Sequence, residues 1–385
     1  MTSPSATFVD EADRATSEGN LAKAEELLLK ATEVLPNDVS VHLKLAALQR
    51  ASGRFQASLA SVHRALSISP LDFTALLLRA SLLERMNDPG AALAWSHALA
   101  QKPEGELPAH LKTVVATAEA RVEQWIADRD GRMVAAMSAS EQSADDEELA
   151  RLQRFRSNVL RRTRPYHSEP THFHYPGLAE REFFPRKLFP WLEQLEEATE
   201  VIASEMRSVM AAERAELLPY VQYADYLPLD QWRELNNNPD WTAIHLLQNG
   251  RRVEANARLC PKTLELLQKC DQPLIDGGSP NAMFSLLAPH TSIPPHVGVN
   301  NTRLVCHLPL VIPEGCWFRV GAETRTWSPG EAFVFDDTIE HEAANPTGEL
   351  RVVFIFDTWH PDLSSVEREA VTALIESEGV PGTNL

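Results

Sequence analysis

A spacing of 34 residues recurs four times near the start of this sequence and constrains its fold more than any single motif. Gly19 and Gly53, Ala31 and Ala65, Pro36 and Pro70, and Asp38 and Asp72 each lie one period apart. Ala98 and Pro103 follow at a spacing of 33. GNLAKAEELLLKATEVLPND is succeeded by GRFQASLASVHRALSISPLD, and NDPGAALAWSHALAQKP is a looser third copy. Each copy reads as two short amphipathic helices joined near a glycine and closed by a proline. Proline stops a helix because it lacks an N–H and clashes with the preceding turn. Small residues such as Ala31 and Ala65 let neighbouring helices approach closely. A unit repeated at a fixed period stacks into a solenoid, whereas a plain helical bundle gives no reason for four landmarks to share one period.

Over residues 6–105 this pattern resembles a tetratricopeptide repeat array. The resemblance implies a curved surface that binds a peptide or protein. The stretch from 107 to about 140 reads as helix that caps the array. The organisation expected is repeats over 1–106, a helical cap and linker over 107–165, and a separate domain over 166–385.

A net charge of -18 argues against a general nucleic-acid binder, which needs a basic face. No apolar run is long enough to predict a membrane span. The start, MTSPSATFVDEADRA, has neither the basic nor the apolar region of a secretory signal. Four cysteines, Cys260, Cys270, Cys306 and Cys316, are too few for a disulfide scaffold. A reduced, cytoplasmic setting is the expectation.

SADDEELARLQRFRSNVLRRTRP passes from acidic residues to six arginines between Arg151 and Arg164. It reads as a solvated helix, with a funnel for acidic substrates as the sharper alternative. Pro165 and Pro170 mark the boundary. His167, His172 and His174 lie in this proline-rich connection without ligand spacing and read as surface or structural residues. Beyond Tyr175, Leu192, Leu195, Ala198, Ile202 and Met206 recur at helical spacing.

Residues 284–361 read as consecutive short strands, which suggests a sandwich or barrel. In Arg303–Val311, alternation puts Leu304, Cys306, Leu308 and Leu310 on one face, with Arg303, Val305 and His307 on the other. Cys316, Phe318 and Val320 share a face of the next strand, and Ala332–Asp336 and Arg351–Asp357 form two more. His296 follows two prolines in an extended stretch, and His341 follows a strand in FDDTIEHE. Neutral imidazole binds iron, and the usual facial triad of iron oxygenases adds a carboxylate two residues after the first histidine. Here that place is Gly298, so the pair alone does not make a triad. Arg351 opens an apolar strand, where a guanidinium pairs with a bidentate anion or a structural carboxylate. Trp241, Trp327 and Trp359 read as packing residues.

FSLLAPHTSIPPHVG, NTRLVCHLPL, RTWSPGEAFVFDDTIEHE and DTWHP, in this order, resemble the signature blocks of the aspartyl/asparaginyl β-hydroxylase family, and YPGL with its following helix extends the likeness over about 175–361. The resemblance implies a multidomain α and β protein: a TPR-like helical solenoid, then a double-stranded β-helix of the jelly-roll or cupin type. It implies Fe(II) held by two histidines without a protein carboxylate, so Gly298 fits. By position His296 and His341 would be the metal ligands, and Ser285, His307 and Arg351 would hold 2-oxoglutarate, Arg351 on its distal carboxylate. A second basic residue often precedes the His307 position by two; here it is Val305, and Arg303 is the candidate substitute. Arg303 is also a candidate to help bind a target carboxylate or amide. Asp336 and Asp337 match the family's acidic pair and would orient ligands or hold structure. The implied reaction is hydroxylation of an aspartyl, asparaginyl or related side chain in a peptide or protein, with O2 and 2-oxoglutarate consumed. The rivals are a hydroxylase of a free amino acid or other small molecule, and a non-catalytic repeat scaffold with a degenerate oxygenase fold.

Overall fold

In the computed structural model, residues 4–212, 218–220, 233 and 236–378 are described. The chain divides into two compact units, Met1–Ser143 and Ala144–Leu385. The segment 107–165 is therefore shared: its first helix belongs to the first unit and its second to the other.

The first unit holds α1 (Pro4–Ser17), α2 (Leu21–Val34), α3 (Val39–Ala51), α4 (Phe55–Ile68), α5 (Phe73–Arg85), α6 (Ala91–Leu99) and α7 (Ala109–Ser143). Its strongest helix contacts join neighbours in sequence, as a solenoid requires. The periodic residues have physical roles. Gly19 and Gly53 turn the chain at φ of 77° and 76°, in the left-handed region open to glycine. Asp38 and Asp72 cap α3 and α5, accepting from backbone N–H groups of Ser40 and Ala75 at 2.8 Å. Ala31 and Ala65 are fully buried between helices.

The second unit begins with α8 (Asp146–Val159), started by a capping box between Asp145 and Glu148. Its arginines are not simply solvated: Arg154 pairs with Glu182 and Glu323, and beyond the helix Arg164 pairs with Glu340. His167, His172 and His174 stay outside the interior; His167 meets Glu180 at 3.0 Å. There follow α9 (Leu192–Glu197), α10 (Thr199–Met210), β1 (Leu218–Pro219), β2 (Trp241–Gln248), β3 (Arg251–Arg252), α11 (Glu254–Ala257), α12 (Pro261–Leu267), β4 (Ala282–Leu287), β5 (Thr291–His296), β6 (Arg303–Val311), β7 (Trp317–Val320), β8 (Glu323–Thr326), β9 (Phe333–Phe335), β10 (His341–Asn345), β11 (Arg351–Trp359) and α13 (Ser365–Glu378).

The strands form two antiparallel sheets, β1-β2-β4-β11-β6-β9 with β3 beside β2, and β5-β10-β7-β8. The alternation along β6 explains the layering. Leu304, Cys306 and Leu308 point to a core shared with Leu192, Leu195, Ile202 and Met206 of the helices. Val305 points between the sheets, where Ala243, Met283 and Val353 of the larger meet Ile293, Phe318 and Ala343 of the smaller. The candidate site residues His296, His307, His341 and Arg351 sit in this second space.

Candidate functional site

Antiparallel pairing sets His341, the first residue of β10, directly opposite His296, the last of β5. Their ring centroids are 4.1 Å apart. His296 Nδ1 lies 2.7 Å from the Pro294 carbonyl oxygen and His341 Nδ1 lies 3.0 Å from that of Ile339. A carbonyl only accepts, so each Nδ1 carries the proton and each Nε2 keeps its lone pair, the form a metal needs. Burial pulls the His296 pKa down to about 4, and burial together with His296 holds His341 well below the usual imidazole range. Both rings are neutral at physiological pH.

The imidazoles are oriented by backbone carbonyls two residues upstream, and of the two roles expected for Asp336 and Asp337 their contacts are of the structural kind. Asp336 accepts from the Thr338 N–H at 2.9 Å and its hydroxyl at 2.5 Å, fixing the turn before β10; burial raises its pKa to about 7. Asp337 lies against Gly298. A Cβ at Gly298 would come within 2.3 Å of Asp337 Oδ2, so the position that bears the usual triad carboxylate has no room for any side chain. Among the described residues no group of three or more His, Cys, Asp or Glu could hold a metal.

The histidines face a cavity lined also by Ser285, Val305, His307 and Arg351. Arg351 is 1% exposed, and among the described residues no carboxylate forms a salt bridge with it. Its Nη1 donates to Ser285 Oγ at a long 3.4 Å, its guanidinium lies 5.0 Å from the Trp327 ring, and its Nε has no partner. Burial lowers its pKa to about 10, which still leaves it charged. His307 Nδ1 and Trp327 Nε1 are likewise buried without partners, and burial then Arg351 keep His307 neutral. Buried donors are normally satisfied, so such a group marks a place built for acceptor atoms.

Arg303 is not brought to this anion-seeking end. It pairs with Trp359, at the far end of β11 from Arg351. There it meets Asp337 at 3.1 Å and Asp357 at 3.5 Å. Burial opposes its charge, but the two carboxylates prevail and raise its pKa. Arg303 thus lines a second lobe beyond the histidines, with Tyr220, Asn281 and Asp357, and does not replace the basic residue absent at Val305. Two tryptophans read as packing residues line the main cavity instead. Trp241 stacks on Tyr220 at 3.9 Å and donates to Ser285 Oγ at 3.1 Å. Trp359 packs with Ile275 and Leu363, as expected. All four cysteines are free and buried.

Two antiparallel sheets that enclose paired imidazoles and a buried guanidinium define the class of domain, a double-stranded β-helix. Residues 196–361 match the model of the aspartyl/asparaginyl beta-hydroxylase family. It is 40% identical over 151 residues to the Homo sapiens aspartyl/asparaginyl beta-hydroxylase, covering 39% of this chain and 19% of that protein. Against the Xenopus tropicalis aspartate beta-hydroxylase domain-containing protein 2 it is 32% identical over 218 residues, covering 55% of this chain and 56% of the relative. The matched segment thus spans about a fifth to about half of these relatives. The solved TPR domain of Sgt2 from Aspergillus fumigatus aligns with 33% of this chain and 83% of its own, at 22% identity and a TM-score of 0.29.

Proposed function

We propose that this protein is an Fe(II)- and 2-oxoglutarate-dependent dioxygenase that hydroxylates an aspartyl, asparaginyl or related side chain in a peptide or protein. The observation that carries this reading is the convergence of unpartnered buried donors on one cavity beside two neutral imidazoles. Arg351 Nε and Trp327 Nε1 need acceptors that the described residues do not provide, and His307 Nδ1 beside them is unpartnered among those residues. A dicarboxylate supplies them, and the Asp337 carboxylate at Gly298 leaves the histidines as the protein's own ligands.

On this reading His296 and His341 would hold the iron through Nε2, and Arg351 with Ser285 would take the distal carboxylate of 2-oxoglutarate. His307 would face the rest of that molecule. Iron so bound supplies dioxygen activation, by which a C–H bond becomes C–OH while 2-oxoglutarate leaves as succinate and carbon dioxide. The chain's own residues exclude water and fix geometry: Trp241, Phe318, Trp327 and Phe335 wall the cavity, and the Arg351 charge is already desolvated. Arg303, held by Asp337 and Asp357, faces the lobe beyond the histidines and would help bind the substrate's carboxylate or amide. The repeats would recruit a peptide or protein and raise its concentration near the site.

The full chain, supplied with Fe(II), 2-oxoglutarate and air, should form succinate, and a protein substrate should gain one oxygen atom. Succinate formation that is absent with iron, or unchanged in His296→Ala and His341→Ala, contradicts the reading.

A further inference from the structure

Residues 168–173 read in sequence as a proline-rich connection, yet their backbone pairs with both loops that carry the two histidines. The Glu169 N–H donates to the Thr338 carbonyl oxygen at 2.8 Å, three residues before His341. The Thr171 N–H donates to the Gly298 carbonyl oxygen at 3.0 Å, two residues after His296. The His172 and Phe173 N–H groups both donate to Val299, at 3.1 and 3.0 Å. The two loops also meet each other, the Gly298 N–H donating to the Asp337 carbonyl oxygen at 2.7 Å. Side chains extend the join. Ser168 Oγ lies 2.6 Å from Thr338 Oγ1, and that hydroxyl donates to Asp336 Oδ1 at 2.5 Å. Ser168 and Thr338 are both buried, so neither bond is exchanged for water.

We propose that the strap Ser168–Phe173 positions the metal site: it ties the His296 and His341 loops into one rigid unit, and the Ser168–Thr338 hydroxyl pair is its side-chain lock. This rests on the reading of His296 and His341 as metal ligands. The strap lies outside the matched family segment 196–361, so the site of this chain is completed by residues upstream of that segment. The physical reason is local. Each imidazole is oriented by a carbonyl of its own loop, Pro294 or Ile339, so the separation of the two Nε2 atoms is set by how the loops are held together. Groups that orient ligands from behind change metal affinity by roughly 10–100-fold when removed. Ser168 and Thr338 are positioning residues; neither would touch the metal or a substrate.

The test uses the full-length chain and Co(II), followed by visible absorption, with thermal melts of the metal-free protein alongside. Thr338→Val removes both hydroxyl contacts at constant shape, Ser168→Ala removes one, and Thr338→Ser keeps both. Tyr175→Phe is the control: it deletes the 2.8 Å bond to Glu367 on α13, away from the histidine loops. The expected result is Co(II) binding about tenfold weaker in Thr338→Val and Ser168→Ala, with near wild-type affinity in Thr338→Ser and Tyr175→Phe. Unchanged affinity in both Thr338→Val and Ser168→Ala overturns the positioning role. So does an affinity loss that follows melting temperature across all four variants, since that is general stability. Wild-type protein that takes up no Co(II) removes the metal reading itself and this inference with it.

Discussion

Replacing Arg351 with methionine should stabilise the ligand-free protein while destroying its response to 2-oxoglutarate. Arg351 is buried and charged, and burial pulls its pKa down from the usual guanidinium range to about 10. A base whose folded pKa lies below its unfolded value carries its penalty in full below the folded value and loses it as pH rises towards the unfolded one. At neutral pH that penalty is about 3 kcal/mol, at roughly 1.4 kcal/mol per unit. The long bond to Ser285 and the contact with Trp327 return about 1–2 kcal/mol. Methionine fills a similar volume without charge, so metal-free Arg351→Met should gain about 1–2 kcal/mol by urea unfolding at pH 7.5. With Co(II) under nitrogen, 2-oxoglutarate at a hundred times its Kd should stabilise the wild type by roughly 2.7 kcal/mol and the variant not at all. A variant that loses more than about 2 kcal/mol without ligand would show that Arg351 holds a structural partner. Equal stabilisation of both proteins by 2-oxoglutarate would show that the guanidinium does not read the anion.

Four further outcomes follow from the same geometry. Gly298→Ala forces a methyl group against Asp337 and should cost about 1–3 kcal/mol in urea unfolding and weaken metal uptake; unchanged stability and affinity would mean that the loop yields freely. Cys260→Ser with Cys270→Ser should keep iron-dependent succinate formation, because both thiols are free and buried away from the cavity, and loss of turnover in a folded double variant contradicts this. Burial lowers the His245 pKa to about 4, so between the ordinary value of 6.5 and about 4 the unfolded chain binds the extra proton and stability falls with pH. From pH 7 to 5 the wild type should lose about 2 kcal/mol more than His245→Asn in urea unfolding, and equal losses refute the assignment. A fragment from Arg164 keeps the strap and both sheets and should still turn 2-oxoglutarate into succinate while losing preference among protein substrates; equal protein hydroxylation by fragment and full chain removes the repeats from selection.

Much of the fold could be read because its signals are local. Asp38 and Asp72 are helix caps and Gly19 and Gly53 are left-handed turns, so a 34-residue period carries the hairpins directly. The strand β6 declares both faces by alternation. The site was legible only as a set of candidates. That His296 and His341 face one another follows from the β5–β10 register, which depends on pairing across 45 residues. Arg303 shares an inward face with His307, but only the placement of Asp337 and Asp357 shows that its charge is already engaged. Trp241 and Trp327 are indistinguishable in sequence from core tryptophans; their place in the cavity comes from strand neighbours distant in the chain. The imidazole partners were missed for a different reason: a backbone carbonyl two residues upstream leaves no mark in the residue types.

The most direct measurement is metal content together with the visible absorption that appears when 2-oxoglutarate is added to the Fe(II)-loaded full chain without oxygen. The account predicts one iron per wild-type chain, a new charge-transfer band with 2-oxoglutarate, loss of both in His296→Ala and His341→Ala, and loss of the band alone in Arg351→Met. Iron bound equally by the histidine variants, or a band that survives in Arg351→Met at wild-type 2-oxoglutarate affinity, would contradict it.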